Sequence, residues 1–159
     1  MRTAVTLCLL SGLVTSLAAQ SPDAIEGAWR VTQIQTSGAN AATYASQPSL
    51  YLFTGRHYSI VRVSSREPRP QFRDPANITE AEALAIWGPF TGQAGTFEIV
   101  GGNLRTMPTV AKNPESMRSG RQPNVYTVTI QGDVMTLTST SDLNGPIANP
   151  TTYTLARVR

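Results

Sequence analysis

The sequence predicts an all-β domain: an eight-stranded antiparallel up-and-down barrel with one short helix inserted between strands 3 and 4. Three observations predict it. Eight segments rich in β-branched and aromatic residues follow one another, several with clean period-two alternation. Most are joined by tight glycine turns, which make hairpins of sequence neighbours. Eight is also the strand number at which a closed sheet leaves room for one small ligand.

The N-terminal segment "MRTAVTLCLLSGLVTSLAAQ" carries Arg2, an uncharged apolar stretch from Ala4 to Leu17, and then Ala18 and Ala19. That layout is a secretory signal peptide, and the stretch is short for a membrane span. The expected organisation is a signal peptide over 1–19 and one barrel domain over 20–159, secreted or periplasmic, with no stable membrane insertion after cleavage. Cleavage fits after Ala18 or Ala19; an uncleaved membrane anchor is the alternative. Cys8, the only cysteine, lies inside the apolar stretch, whereas a lipid-anchoring cysteine would follow it. The exported domain therefore has no disulfide and must rely on its core. A domain of this length buries about two-thirds of its unfolded surface, which suffices.

"GAWRVTQIQT" (27–36) opens the barrel, and "SLYLFT" (49–54) pairs with "HYSIVRV" (57–63) across Gly55-Arg56. "SSREPRPQFRDP" is too polar and proline-rich for a strand and is expected to cross the barrel surface or mouth. The helix comes next, in "NITEAEALAIWGPF" (77–90). Thr79 and Glu82 have capping-box spacing, Glu80 and Glu82 suit the positive end of the helix dipole, and Gly88-Pro89 stops the run. "AGTFEIV" (94–100) and "NLRTMPT" (103–109) flank Gly101-Gly102, and a long exposed loop leads to "NVYTVTI" (124–130). After "QGD" come "VMTLTST" (134–140), the turn "DLNGPIANP", and "TTYTLARV" (151–158).

Gly27-Ala28-Trp29, at the start of the first strand, resembles the first signature of the lipocalins and their calycin relatives. "GAWRVTQIQT", "LYLFTGRHYSIVRV", "TEAEALAIWGPFTGQAGTFEIVGGNLRT" and "YTVTIQGDVMTLTST" are together similar to the bacterial and fungal lipocalin-like domain family, over nearly all of 20–159. The resemblance implies a calycin-type barrel whose closed end is plugged by Trp29, with an arginine of the last strand lying across the indole. Arg157, or else Arg159, in "YTLARVR" is available; such a cation–π contact is worth roughly 0.5–2 kcal/mol. The implied plug is Gly27, Trp29 and Arg157. The disulfide of standard lipocalins and their long helix after the eighth strand are missing, so the ligands of transport lipocalins are not carried over.

Strand alternation supplies the candidate ligand-binding residues. Trp29, Val31 and Gln33 share one face, as do Tyr51 and Phe53, Tyr58 and Ile60, Phe97 and Ile99, Tyr126 and Val128, Met135 and Leu137, and Tyr153 and Leu155. Val31, Gln33, Tyr51, Phe53, Tyr58, Phe97, Tyr126, Met135 and Tyr153 are the expected interior set. Trp87 and Phe90 join them if the helix covers the open mouth; the alternative is that its apolar face packs on the barrel wall. Buried tyrosine hydroxyls need partners, which a polar ligand group or water supplies.

Several chemistries find no support. Without Arg2 the chain has 12 basic residues, 11 of them arginine, against 10 acidic ones, a mild excess that argues for no nucleic-acid partner. Arg56, Arg62, Arg66, Arg69 and Arg73 form either a solvated loop paired with Glu67 and Asp74, or a basic rim attracting a carboxylate- or sulfate-bearing ligand. His57 is the only histidine; it is expected at the solvent-facing rim, with a general-base role as the alternative. One histidine and no cysteine beyond Cys8 leave no zinc site, and no metal or cofactor is expected. No Gly-x-Ser-x-Gly occurs, so no catalytic residue is nominated. Glu98 alternates with Phe97 and Ile99 and is expected to face outward. "NIT" (77–79) matches a glycosylation sequon, but Thr79 is already wanted as a helix cap.

The leading expectation is a barrel binding a small, largely hydrophobic molecule. An enzyme on the same barrel, with isomerase, cyclase or hydratase-type acid–base chemistry, is the second reading. A solid-core structural or protein-binding module is the third. A carboxylate and a tyrosine together facing inward would favour the enzyme.

Overall fold

The computed structural model describes residues 22–159; the expected signal peptide lies outside the described residues. One helical turn, α1 (Pro22–Ile25), leads into β1 (Gly27–Thr36), β2 (Ala42–Ala45), β3 (Ser49–Thr54) and β4 (His57–Val63). Helix α2 (Glu80–Trp87) precedes β5 (Phe90–Val100) and β6 (Asn103–Ala111). A 3-10 turn (Pro114–Met117), β7 (Asn124–Gln131), β8 (Val134–Asp142), β9 (Gly145–Pro146) and β10 (Thr151–Arg157) complete the chain. Strands pair antiparallel in the order β10-β1-β3-β4-β5-β6-β7-β8, and β8 pairs back onto β10, closing an eight-stranded barrel. The fold is a closed antiparallel barrel of calycin type, with one short helix between β4 and β5. The short strands β2 and β9 extend β1 and β8 alone.

The inward face carries the core: Val31, Phe53, Ile60, Phe97, Leu104, Val128, Met135, Leu137 and Leu155 are all buried. Phe53 and Phe97 meet edge to face, ring centroids 5.3 Å apart, as the aromatic quadrupole favours. Gln33 departs from the expected alternation. Between β1 and β10 the register slips after Val31, leaving Thr32 as an extra residue. This bulge reverses the facing of the strand's remaining residues. Gln33 is therefore exposed, and Ile34 takes the inner position, 3% exposed.

The end at which β1 begins is sealed by Trp29, which is fully buried. Its Nε1 donates to the Ile25 carbonyl at 2.8 Å, so α1 is tied to the plug. Arg157 lies over the indole, Cζ 4.0 Å from the ring centre. The same guanidinium donates to the carbonyls of Glu26 (2.6 Å) and Ala24 (3.2 Å) and stands 3.6 Å from Asp133. Arg159 pairs with the exposed face of Asp133 instead. Gly27 has φ +116°, and a Cβ there would meet Arg157 Nη1 at 2.9 Å. Any side chain would be strained and would crowd the arginine, which is why a glycine stands two residues before the tryptophan.

Helix α2 is capped as its sequence requires. Thr79 Oγ1 accepts from the Glu82 amide at 3.3 Å, and Glu82 Oε2 accepts from the Thr79 amide at 3.1 Å. At the other end the only lysine, Lys112, donates from Nζ to the carbonyls of Trp87, Gly88 (3.1 Å) and Phe90 (3.0 Å). A cation on the terminal carbonyls offsets the negative end of the dipole. Phe90 is thereby outside the helix and begins β5, which starts earlier than its alternating segment indicated.

Candidate ligand-binding interior

Alternation along β4 sends Tyr58, Ile60 and Arg62 to the inside, while His57 and Val61 are exposed. Register places Tyr51 opposite Ile60 on β3, Tyr126 opposite Leu104 on β7, and Tyr153 opposite Leu137 on β10. Each tyrosine thus lies beside a core residue. Together they surround a guanidinium that belongs to a strand and not to a loop. Arg62 Nη1 donates to Tyr51 Oη at 3.1 Å, and Arg62 Cζ lies 4.6 Å from the Tyr153 ring centre. Arg62 Nε is buried with no hydrogen-bond partner.

The nitrogens of a second guanidinium are also buried. Arg121 comes from the loop before β7, and its Nε, Nη1 and Nη2 are all buried without a partner. It stands close enough to the Tyr58 hydroxyl to favour that group's ionised form. The Tyr58 hydroxyl is itself buried and meets no partner with hydrogen-bond geometry, although Thr106 approaches it. Thr106 is fully buried and accepts from Asn124 Nδ2 at 3.3 Å.

The electrostatics arise from this enclosure. Burial pushes the Tyr58 phenol up to about 12, with Thr106 and Arg121 acting against it. Burial likewise raises Tyr51, partly offset by Arg62, and raises Tyr126, which also feels Tyr51, Arg62, Tyr153 and Tyr58. Burial opposes the charge on Arg62, but Tyr51, Tyr153 and Tyr126 outweigh it, so its pKa is raised and it stays a cation. Neutral phenols therefore surround the charged Arg62 guanidinium, and Arg121 acts on Tyr58 from the loop before β7. Among the described residues, neither Arg62 nor Arg121 forms a salt bridge to a carboxylate.

The other candidate residues fall in three places. Val31, Phe53, Phe97 and Met135 are buried in the barrel core with Tyr51, Tyr58 and Tyr153, and Tyr126 packs against it. Gln33 is outside, through the β1 bulge. Trp87 is 52% exposed, and Phe90 pairs with Val63, out of phase with the inward Arg62. The helix therefore does not place these two rings in the interior. Its buried residue Ile86 lines a cleft of about 400 Å³ with Val63, Arg69 and Phe72, away from the main core cluster. Trp87 and Phe90 pack on each other edge to face at 5.9 Å.

The arginine-rich segment divides likewise. Arg66 lies over Tyr44 (5.1 Å), and Arg69 lies over Phe90 (5.6 Å) while donating to the Ile86 carbonyl at 3.2 Å. Asp74 accepts from Asn77 and Ala76 instead of pairing with an arginine. Glu98 is exposed and stands 3.8 Å from its cross-strand neighbour Arg105. A second cleft, of about 480 Å³, opens beside that pair and Met107. Among the described residues there is no cluster of metal-ligating side chains and no helix long and apolar enough to cross a membrane.

No protein-family profile and no curated protein matches the sequence. Among solved structures, the chain is similar to a lipocalin-like protein from Bacteroides uniformis, with 13% identity, 85% of this chain and 99% of that chain covered, and a TM-score of 0.48. It is also similar to an uncharacterized protein from Bacteroides eggerthii, with 10% identity, 84% and 98% covered, and a TM-score of 0.44.

Proposed function

We propose that this lipocalin-like barrel binds a small, largely hydrophobic molecule in its interior, outside the cytoplasm after export. The observation that carries the reading is unused hydrogen-bonding capacity inside a closed barrel. The Tyr58 hydroxyl is buried there with no partner. A core built only to be solid leaves few such groups, because each costs about 1–3 kcal/mol. Around it, aromatic and aliphatic side chains supply apolar contact, and a few polar groups supply orientation, the usual make-up of a small-molecule site. The ionisable neighbours of the tyrosines are arginines, not the carboxylate that acid–base chemistry would draw on, which favours binding over catalysis.

Native mass spectrometry of protein isolated from its own host tests this. The expected result is a stoichiometric small-molecule adduct that is lost on denaturation. A bare protein mass, with no binding of the apolar dye N-phenylnaphthylamine, would count against an internal site.

A further inference from the structure

We infer that the outer wall formed by β3, β4 and the start of β5 is an interface for a second copy of the chain. This is independent of what the interior holds. Strand pairing puts Leu50 and Leu52 on that wall from β3, Ser59 and Val61 from β4, and Gly92 and Ala94 from β5. Leu50 faces Val61, and Val61 faces Gly92. A Cβ on Gly92 would stand 3.1 Å from Phe90 Cε1, so the glycine lets the Phe90 ring lie on the wall next to Val61. Trp87 packs edge to face on that ring, and Leu84 is exposed one turn earlier on α2. Leu50, Leu52, Val61 and Trp87 thus form one exposed apolar band, where a solvated wall would alternate to polar residues.

Charge selects the occupant. The outward residues of β3 and β4 include no Asp, Glu, Lys or Arg, and His57 stands at the far end of β4. The rim carries both signs. Arg69 and Lys112 donate to carbonyls at the C-terminal end of α2, and Glu80 is exposed at its N-terminal end. Among the described residues, none of these three forms a salt bridge. The matching surface has an uncharged apolar centre, an anion for one side of the rim and a cation for the other. A second copy turned about a two-fold axis offers that pattern, because residues beside the axis meet their own copies and here carry no charge to repel. An anionic lipid surface suits the two cations but repels Glu80. A groove of about 300 Å³ bordered by Leu50, Val61 and Phe90 gives a protruding apolar side chain a seat, and Trp87 and Leu84 are such side chains on the same band. The band is small for a permanent dimer, so the association is weak and depends on concentration.

The test is sedimentation equilibrium of the exported form of the chain, from about 1 μM to about 1 mM, with a monomer–dimer equilibrium in the micromolar range expected. Val61→Glu sets like charges against each other across the axis and is expected to weaken the dimer at least about a hundredfold. Trp87→Ala is expected to weaken it about tenfold. Val134→Glu, an exposed apolar position on β8 outside the band, should change nothing. A readout without any variant guards against misfolding of Val61→Glu. Trp29 is already buried, so a blue shift of tryptophan emission with rising concentration reports the covering of Trp87. A chain that stays monomeric at every concentration overturns the interface. So does a dimer that Val61→Glu leaves intact, or that Val134→Glu weakens equally. A monomer that binds vesicles containing phosphatidylglycerol through this wall, and releases them on Val61→Glu, assigns the band to a lipid surface and overturns the second copy.

Discussion

Trp29 shows what a single residue contributes here. It is fully buried, hydrogen-bonded to α1 and covered by Arg157. Trp29→Ala is expected to cost about 3–5 kcal/mol, the range for a large buried aromatic. Arg157→Ala should cost less, and the double variant less than the sum, because neighbours sharing a contact couple. Denaturant unfolding of the four proteins in the cycle measures this; simple additivity would mean that the stacking contributes nothing. The tyrosines carry a pH dependence of definite sign. Tyr58 is raised from 10 to about 12, and Tyr51 and Tyr126 are also raised, because burial favours the neutral phenol. Their contribution to stability is complete below the unfolded tyrosine value of about 10 and is lost as pH rises from there through the folded values. Absorbance titration should show delayed tyrosinate formation and unfolding that sets in only at alkaline pH. Ordinary titration of every phenol in the folded protein would refute the enclosure. At this scale legibility depended on parity. Arg62 shares the phase of Tyr58 and Ile60, so alternation alone pointed it inward, but its membership of an arginine-rich region suggested solvent. Gln33 went astray because a bulge leaves no mark in the residue types around Thr32. Arg121 sits in a loop, where no periodicity exists to place it.

At the level of elements, α2 divides into a legible part and an illegible one. Its capping box is encoded in the spacing of Thr79 and Glu82 and forms in full. Its packing partner is not encoded that way, because Leu84, Ile86, Trp87 and Phe90 suit a lid and a wall contact equally. The structure decides for the outside: Ile86 is buried, Leu84 is 64% exposed, and Trp87 and Phe90 pack edge to face on each other. Trp87→Ala should therefore leave dye affinity unchanged and cost on the order of 1 kcal/mol, an edge-to-face pair at the surface. Thermal melting beside a dye titration checks both; a large loss of affinity would restore the lid. The eight barrel strands were readable from alternation and turns. β2 and β9 were not, since strands of 4 and 2 residues carry too little pattern.

For the whole molecule, closure of the sheet converts eight half-buried strands into one enclosed interior, and Trp29 closes one end of it. The proposed export belongs to this scale too. If Arg2, the apolar run and Ala18-Ala19 act as a signal peptide, the expected mature N-terminus is Ala19 or Gln20, readable from the intact mass of secreted material. Met1 retained in exported protein would contradict cleavage. The interior must also be told apart from the outer clefts beside α2 and between β5 and β6, since either could take up an apolar compound. A backbone and side-chain NMR map of N-phenylnaphthylamine binding distinguishes them directly. Shifts centred on Tyr51, Tyr58, Arg62, Tyr126 and Tyr153 are the expected result. Shifts confined to Phe72 and Ile86, or to Glu98, Arg105 and Met107, would contradict an internal site.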